Sequence, residues 1–204
     1  MLDGLKRDWA EPMWKALAKP LANAGFSPNQ VTILGFVLIL ANCAAFYWHH
    51  STLWFGIGLI LSFAFDALDG AVARMRGMTS KFGGYLDGVI DRYQEIAVYA
   101  VIAWMTGWWA AAFFAMTGSL MVSYNKARTA IEIPIENHNW PDLLERFERI
   151  VILCVALVLD SFLVLPEMLG TRVLFLALLV IGVLSHITAV QRFFRAKSML
   201  VGKG

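Results

Sequence analysis

Six apolar blocks restrict the fold of this chain more than any other feature. Val31–Trp48, Thr52–Leu68, Gly88–Met105, Trp108–Tyr124, Ile150–Leu165 and Val173–Val190 are long and carry few charges. Several approach the ~20 residues that a helix needs to cross a hydrocarbon core. Hydrophobic residues make up 59% of the 204 and charged residues only 16%, so a soluble domain would lack the polar surface to cover its apolar mass. The expected fold is all-α integral membrane, with six transmembrane helices in one domain over 1–204.

Charge orients these spans. Six crossings leave the N-terminus, the 69–87 and 125–149 connections and the C-terminus on one side. Each of these regions, with the adjoining helix ends, holds four basic residues: Lys6, Arg7, Lys15 and Lys19; Arg74, Arg76, Lys81 and Arg92; Lys126, Arg128, Arg146 and Arg149; Arg192, Arg195, Lys197 and Lys203. Only Arg172 falls opposite. The positive-inside rule then makes the protein a multi-pass cell-membrane protein with both termini cytoplasmic. The net charge of +2 conceals this asymmetry. Basic residues interleaved with acids beside apolar spans offer no nucleic-acid surface, so no nucleic acid is expected as partner.

Before the first span, Leu2, Leu5, Trp9, Met13, Trp14 and Leu17 recur at roughly helical spacing among Lys and Arg. That pattern suits an amphipathic juxtamembrane helix over 1–20, lying on the inner leaflet. Asp3, Asp8 and Glu11 make this segment unlike a cleavable signal peptide. Ser27-Pro28-Asn29-Gln30 carries a helix start: an N-cap serine, proline at the first helical position and glutamine three after the cap. Asn29 and Thr32 share one face of that first turn. Cys43 and Cys154 lie within apolar spans without metal spacing and are expected to pack as small hydrophobes. His49 and His50 fit an interfacial turn rather than a metal site.

The chemistry concentrates between residues 66 and 91. Asp66 and Asp69 are three apart, Asp87 and Asp91 four apart, so each pair occupies one helix face. A short connection makes the two helices antiparallel neighbours on which four carboxylates can meet. Asp66 lies ~21 Å along its helix from Thr52, at ~1.5 Å per residue, near the cytoplasmic boundary. Ionised aspartates at membrane depth cost ~2.5–3.5 kcal/mol each on insertion scales and need compensating positive charge. Arg74 and Arg92 supply some; divalent cations supply more. Hard oxygen donors in this number suit Mg²⁺ or Mn²⁺ rather than zinc. Two such ions form a clamp for phosphoryl displacement. Gly70, Gly83, Gly84 and Gly88 flank the carboxylates, either as places where a base or diphosphate approaches the backbone or as helix contacts.

The run Asp66-x-x-Asp69-Gly70-x-x-Ala73-Arg74, eight residues, then Gly83-x-x-x-Asp87-x-x-x-Asp91, resembles the signature of the CDP-alcohol phosphotransferases. The resemblance implies a six-helix membrane homodimer that binds two divalent ions, Mg²⁺ or Mn²⁺. Asp66, Asp69, Asp87 and Asp91 would be metal ligands, with Asp91 also the catalytic general base. Asn29, Thr32, Asp66, Asp69, Gly70, Ala73, Arg74, Gly83 and Asp87 would bind the nucleotide of a CDP-linked lipid. A substituted phosphate would pass to a polar alcohol at the cytoplasmic face, and CMP would leave.

Ser123 to Arg128, Glu145 to Arg149 and Gln191-Arg192 resemble the branch that makes phosphatidylinositol phosphate or its archaeal ether-lipid counterpart. That likeness implies inositol 1-phosphate as acceptor, with Lys126, Arg146 or Arg149, and Arg192 holding its phosphate; glycerol 3-phosphate or serine are the alternatives. Three cations from separate helix ends fit a dianion, although basic residues at these ends also satisfy the positive-inside rule. A cation channel or carrier using the aspartates as an ion path is the competing class; no inverted repeat of the carrier kind supports it.

Overall fold

The computed structural model describes residues 2–135, 142–163 and 172–201, with side chains from residue 11 onward. Among these residues all regular structure is helical. The elements are α1 (Leu2–Asn23), α2 (Pro28–His49), α3 (Thr52–Asp66), α4 (Leu68–Arg76), α5 (Lys81–Thr106), α6 (Trp109–Glu132), α7 (Arg146–Leu159) and α8 (Val173–Val201). The expected end of the fifth span at Leu165, residues 136–141 of the expected 125–149 connection, and Lys203 lie outside the described residues.

Among the described residues, three stretches have the length and composition to cross a membrane: Pro28–His49, Thr52–Arg76 and Val173–Val201. The other three expected spans fall on helices that are more polar or shorter. Asp87, Asp91 and Arg92 lie in the first half of α5, and Glu95 lies just past its midpoint. α7 has 14 residues, about 21 Å at ~1.5 Å per residue.

The chain divides into two compact units, Leu2–Val98 and the residues from Tyr99 onward. In the first, α2 packs on α3 and on α4, while α1 packs on α4. The α2 start is the capping box that the sequence announces: Gln30 N–H donates to Ser27 Oγ at 3.3 Å, and Ser27 N–H donates to Gln30 Oε1 at 2.8 Å. Ala18, Val31, Leu68, Ala71 and Val72 form a core flanked by Trp14, Leu21, Phe26 and Phe65. This packing draws α4 onto α1, and the helix breaks at Ala67 (φ −61°, ψ −8°) instead of continuing through Leu68. The N-terminal helix runs to Asn23, three residues past the expected amphipathic segment. It buries Ala18 on α4 and leaves Met13 and Leu17 exposed.

A left-handed Gly77 (φ 62°) closes α4. Met78 N–H donates to Ala73 O at 2.9 Å and Gly77 N–H to Arg74 O at 3.4 Å, the paired bonds of a Schellman cap. Ser80 Oγ then accepts from Gly83 N–H at 2.9 Å and starts α5. The sharp turn brings the carboxylates of α5 back onto the end of α3.

In the second unit, α8 packs along α6 and against α7. Close approach of α6 and α8 depends on small residues: a Cβ at Gly118 would come within 2.9 Å of Ser185 Cβ. Asp160 joins α7 to α8, pairing with Arg172 and accepting from Leu174 N–H at 3.2 Å. Cys43 and Cys154 are buried and unbridged, as expected of packing residues.

Candidate active site

Within the first unit, Asp66, Asp87 and Asp91 each bring a carboxylate oxygen within 4.8 Å of the others. Asp66 comes from the last residue of α3; Asp87 and Asp91 lie one turn apart on α5. Asp66 is 4% and Asp91 9% exposed, so little water shields their mutual repulsion. Three converging hard oxygen donors, with Asp66 and Asp91 buried and Asp87 partly exposed, form a donor set for a small divalent cation. Arg92 adds some compensation, its guanidinium 3.6 Å from Asp91 Oδ2 and 3.7 Å from Glu95 Oε2.

Asp69 stands one step away, beyond the break at Ala67. Thr32 Oγ1 donates to its Oδ2 at 2.6 Å, and its own Oδ1 faces Gly70 N–H. The charges of Asp87 and Asp66 act on it. The four aspartates of the motif thus occupy one locality, three in a mutual triangle and the fourth tied to the first turn of α2.

The nucleotide-binding candidates gather around these carboxylates. Gly83 sits so close to Asn29 that a Cβ there would lie 3.3 Å from Asn29 Oδ1. Asn29, Thr32, Asp69 and Gly83 therefore meet where α2, α4 and α5 begin. Gly70 and Ala73 follow on α4, with Arg74 exposed at its end. A Cβ added at Gly84 or Gly88 meets open space, so the chain's own packing does not require glycine at either position.

Two residues of this unit escaped sequence reasoning. Gln94, 0% exposed, donates from Nε2 to Asp66 Oδ1 at 3.0 Å. Its spacing gave a signal, since 87, 91 and 94 fall on one helical stripe. Gly35 is the second: a Cβ there would stand 2.8 Å from the same Asp66 oxygen.

The four basic candidates belong to the second unit. Arg192 is buried on α8, donating from Nε to Asp142 Oδ1 at 2.9 Å and from its terminal nitrogens to Asp142 Oδ2 and Val122 O. Arg149 is buried at the start of α7, its Nη1 3.4 Å from Leu144 O. Arg146 and Lys126 are partly exposed. Asn125, beside Lys126, donates to Ala189 O at 2.9 Å and joins α6 to α8 one turn before Arg192. Asp142 had no motif to announce it.

Comparison with known proteins gives this geometry a setting. The family model described as CDP-alcohol phosphatidyltransferase matches residues 26–191. An archaetidylinositol phosphate synthase of Pyrococcus horikoshii is 34% identical over 202 residues, covering 98% of each chain. The crystal structure of Mycobacterium tuberculosis phosphatidylinositol phosphate synthase with CDP-DAG bound superposes with a TM-score of 0.78 at 26% identity, covering 91% of this chain and 94% of that one. The same Mycobacterium tuberculosis enzyme in complex with manganese and citrate gives 0.78 at 27%, covering 91% and 89%. With the signature carboxylates converging and the family match running through both units, this chain is a transferase that belongs to the CDP-alcohol phosphatidyltransferase family.

Proposed function

We propose that this protein transfers a substituted phosphate from a CDP-linked lipid to inositol phosphate, releasing CMP. The observation that carries this reading is the triangle of Asp66, Asp87 and Asp91, whose oxygens lie within 4.8 Å of one another. Asp66, Asp69, Asp87 and Asp91 would hold two divalent ions, Mg²⁺ or Mn²⁺; bound there, the ions neutralise the diphosphate and stabilise charge on the attacking and leaving oxygens.

The protein's own groups do the remainder. Thr32 fixes Asp69 by a 2.6 Å hydrogen bond. Asn29, Gly70, Ala73, Arg74 and Gly83 line the approach to the carboxylates and bind the cytidine nucleotide. Asp91 accepts the proton of the acceptor hydroxyl. The hydroxyl oxygen then bonds to the lipid-side phosphorus, the phosphorus–oxygen bond to CMP breaks, and CMP departs.

The acceptor assignment is supported by the likeness to an archaetidylinositol phosphate synthase and a phosphatidylinositol phosphate synthase and by the basic set Lys126, Arg146, Arg149 and Arg192, which we propose as the cradle for its phosphate. Six membrane crossings, cytoplasmic termini, a lipid-facing α1, a single domain over 1–204, and a homodimer complete the proposal. The distribution of Lys and Arg supports the orientation.

One assay tests this reading: purified protein with CDP-diacylglycerol or CDP-archaeol, Mg²⁺ or Mn²⁺, and inositol phosphate, glycerol phosphate, inositol or serine, scored for CMP. Release with inositol phosphate is expected. Release only with another acceptor overturns the acceptor assignment, and no release with any of them overturns the transfer.

A further inference from the structure

We infer that Gln94 is a positioning residue of the metal site, its side-chain amide fixing the carboxylate of Asp66. Gln94 is fully buried, and an amide in such a place is costly unless its hydrogen bonds are made. Its Nε2 donates to Asp66 Oδ1 at 3.0 Å. Gly35 closes on the same oxygen from α2, so closely that a Cβ would stand 2.8 Å away. Asp66 is thereby held from two helices, α2 and α5, while its own backbone ends α3.

The residue type fits the task. Gln94 continues the stripe of Asp87 and Asp91 one turn deeper on α5, so the helix that presents two carboxylates also orients the third. A donor is needed to hold a carboxylate oxygen. A lysine or arginine there would neutralise Asp66 and compete with a cation; a glutamate would add another repelling charge. The neutral amide holds the ligand and leaves its charge for the ion, as outer partners of metal ligands do. This inference rests on the reading of Asp66 as a metal ligand.

The test measures binding of Mn²⁺ alone to the full chain in detergent micelles, following the electron paramagnetic resonance signal of free aqueous Mn²⁺. Gln94→Leu is expected to raise the Mn²⁺ Kd on the order of tenfold to a hundredfold, the usual loss when an outer partner is removed. Gln94→Met, with its unbranched apolar side chain, serves if the leucine variant loses its helical circular dichroism. Asp66→Asn weakens binding by itself, and adding Gln94→Leu to it produces no further loss, because the amide acts through Asp66. Mn²⁺ affinity within twofold of the parent in the folded Gln94 variant, beside a weakened Asp66→Asn, overturns this inference alone. Losses that multiply in the double variant overturn it too, by showing that Gln94 acts elsewhere. Parental Mn²⁺ affinity in Asp66→Asn overturns the metal assignment and this inference with it.

Discussion

Arg192 and Asp142 form a bidentate ion pair, with the Arg192 side chain 5% and the Asp142 side chain 1% exposed. The pair ties the segment ahead of α7 to α8, and a further bond from Arg192 to Val122 O extends the tie to α6. Arg195 lies 3.7 Å from the same carboxylate. The proposed acceptor-binding arginine is therefore also a structural element of the second unit.

Arg192→Ala accordingly has two effects. Breaking a buried pair from one side costs ~3–5 kcal/mol where the charge left behind has no other partner; Arg195, 3.7 Å from Asp142, offsets part of that cost, and the unfolding midpoint in detergent falls. Adding Asp142→Ala restores part of it. In the protein that remains folded, the acceptor KM rises while the CDP-lipid KM stays near its parental value. An unchanged acceptor KM would remove Arg192 from the phosphate cradle.

Thr32→Val deletes the donor to Asp69 while keeping the branched shape. Hydrogen bonds to charged groups contribute ~1.5–3 kcal/mol, and about 1.4 kcal/mol is a factor of ten. Steady-state kinetics with the CDP-lipid should show kcat/KM lower by about tenfold to a hundredfold, and Thr32→Ser should retain most of it. Equal activity of the valine and threonine forms would mean that the 2.6 Å contact does not serve catalysis.

The apolar blocks made the helices legible, and the 66–91 motif made the carboxylates legible, because both are written as spacing along one chain. Ser27 to Gln30 gave the α2 start for the same reason: capping is local chemistry. What crosses between elements was not written that way. The Ala67 break depends on the burial of Leu68, Ala71 and Val72 against α1 and α2, which no run of residues 60–70 reveals. Gly35 reads as one glycine in an apolar span until α3 is laid against it. Asp142 reads as a loop acid until Arg192, 50 positions on, closes over it.

Two glycine substitutions separate packing from ligand approach. At Gly35 an added methyl group meets Asp66 Oδ1 at 2.8 Å and Asp66 Cα at 3.1 Å. Gly35→Ala should cost ~1–3 kcal/mol, the usual range for overpacking, and weaken Mn²⁺ binding. At Gly84 the methyl group meets nothing, and alanine is the better helix former by ~0.5–1 kcal/mol. Gly84→Ala should leave thermal stability equal or higher while raising the CDP-lipid KM. Unchanged kinetics there would show that no substrate passes close to that backbone.

Asp91→Asn tests the division of labour inside the triangle. Asparagine matches aspartate in size and keeps an oxygen for the cluster, but that oxygen is no base at neutral pH. General-base catalysis contributes ~10²–10⁴-fold, so CMP release should fall at least a hundredfold when inositol phosphate is supplied. Binding of the CDP-lipid, followed by equilibrium binding at saturating Mn²⁺, should remain close to parental, because Asp66, Asp69 and Asp87 would still hold the ions that neutralise the diphosphate. The two measurements decide between roles that the geometry alone keeps together. Loss of transfer with retained binding assigns Asp91 to the proton, whereas parallel loss of both makes it a ligand first, and the base must then be sought among the acidic groups beside it, Asp87 foremost.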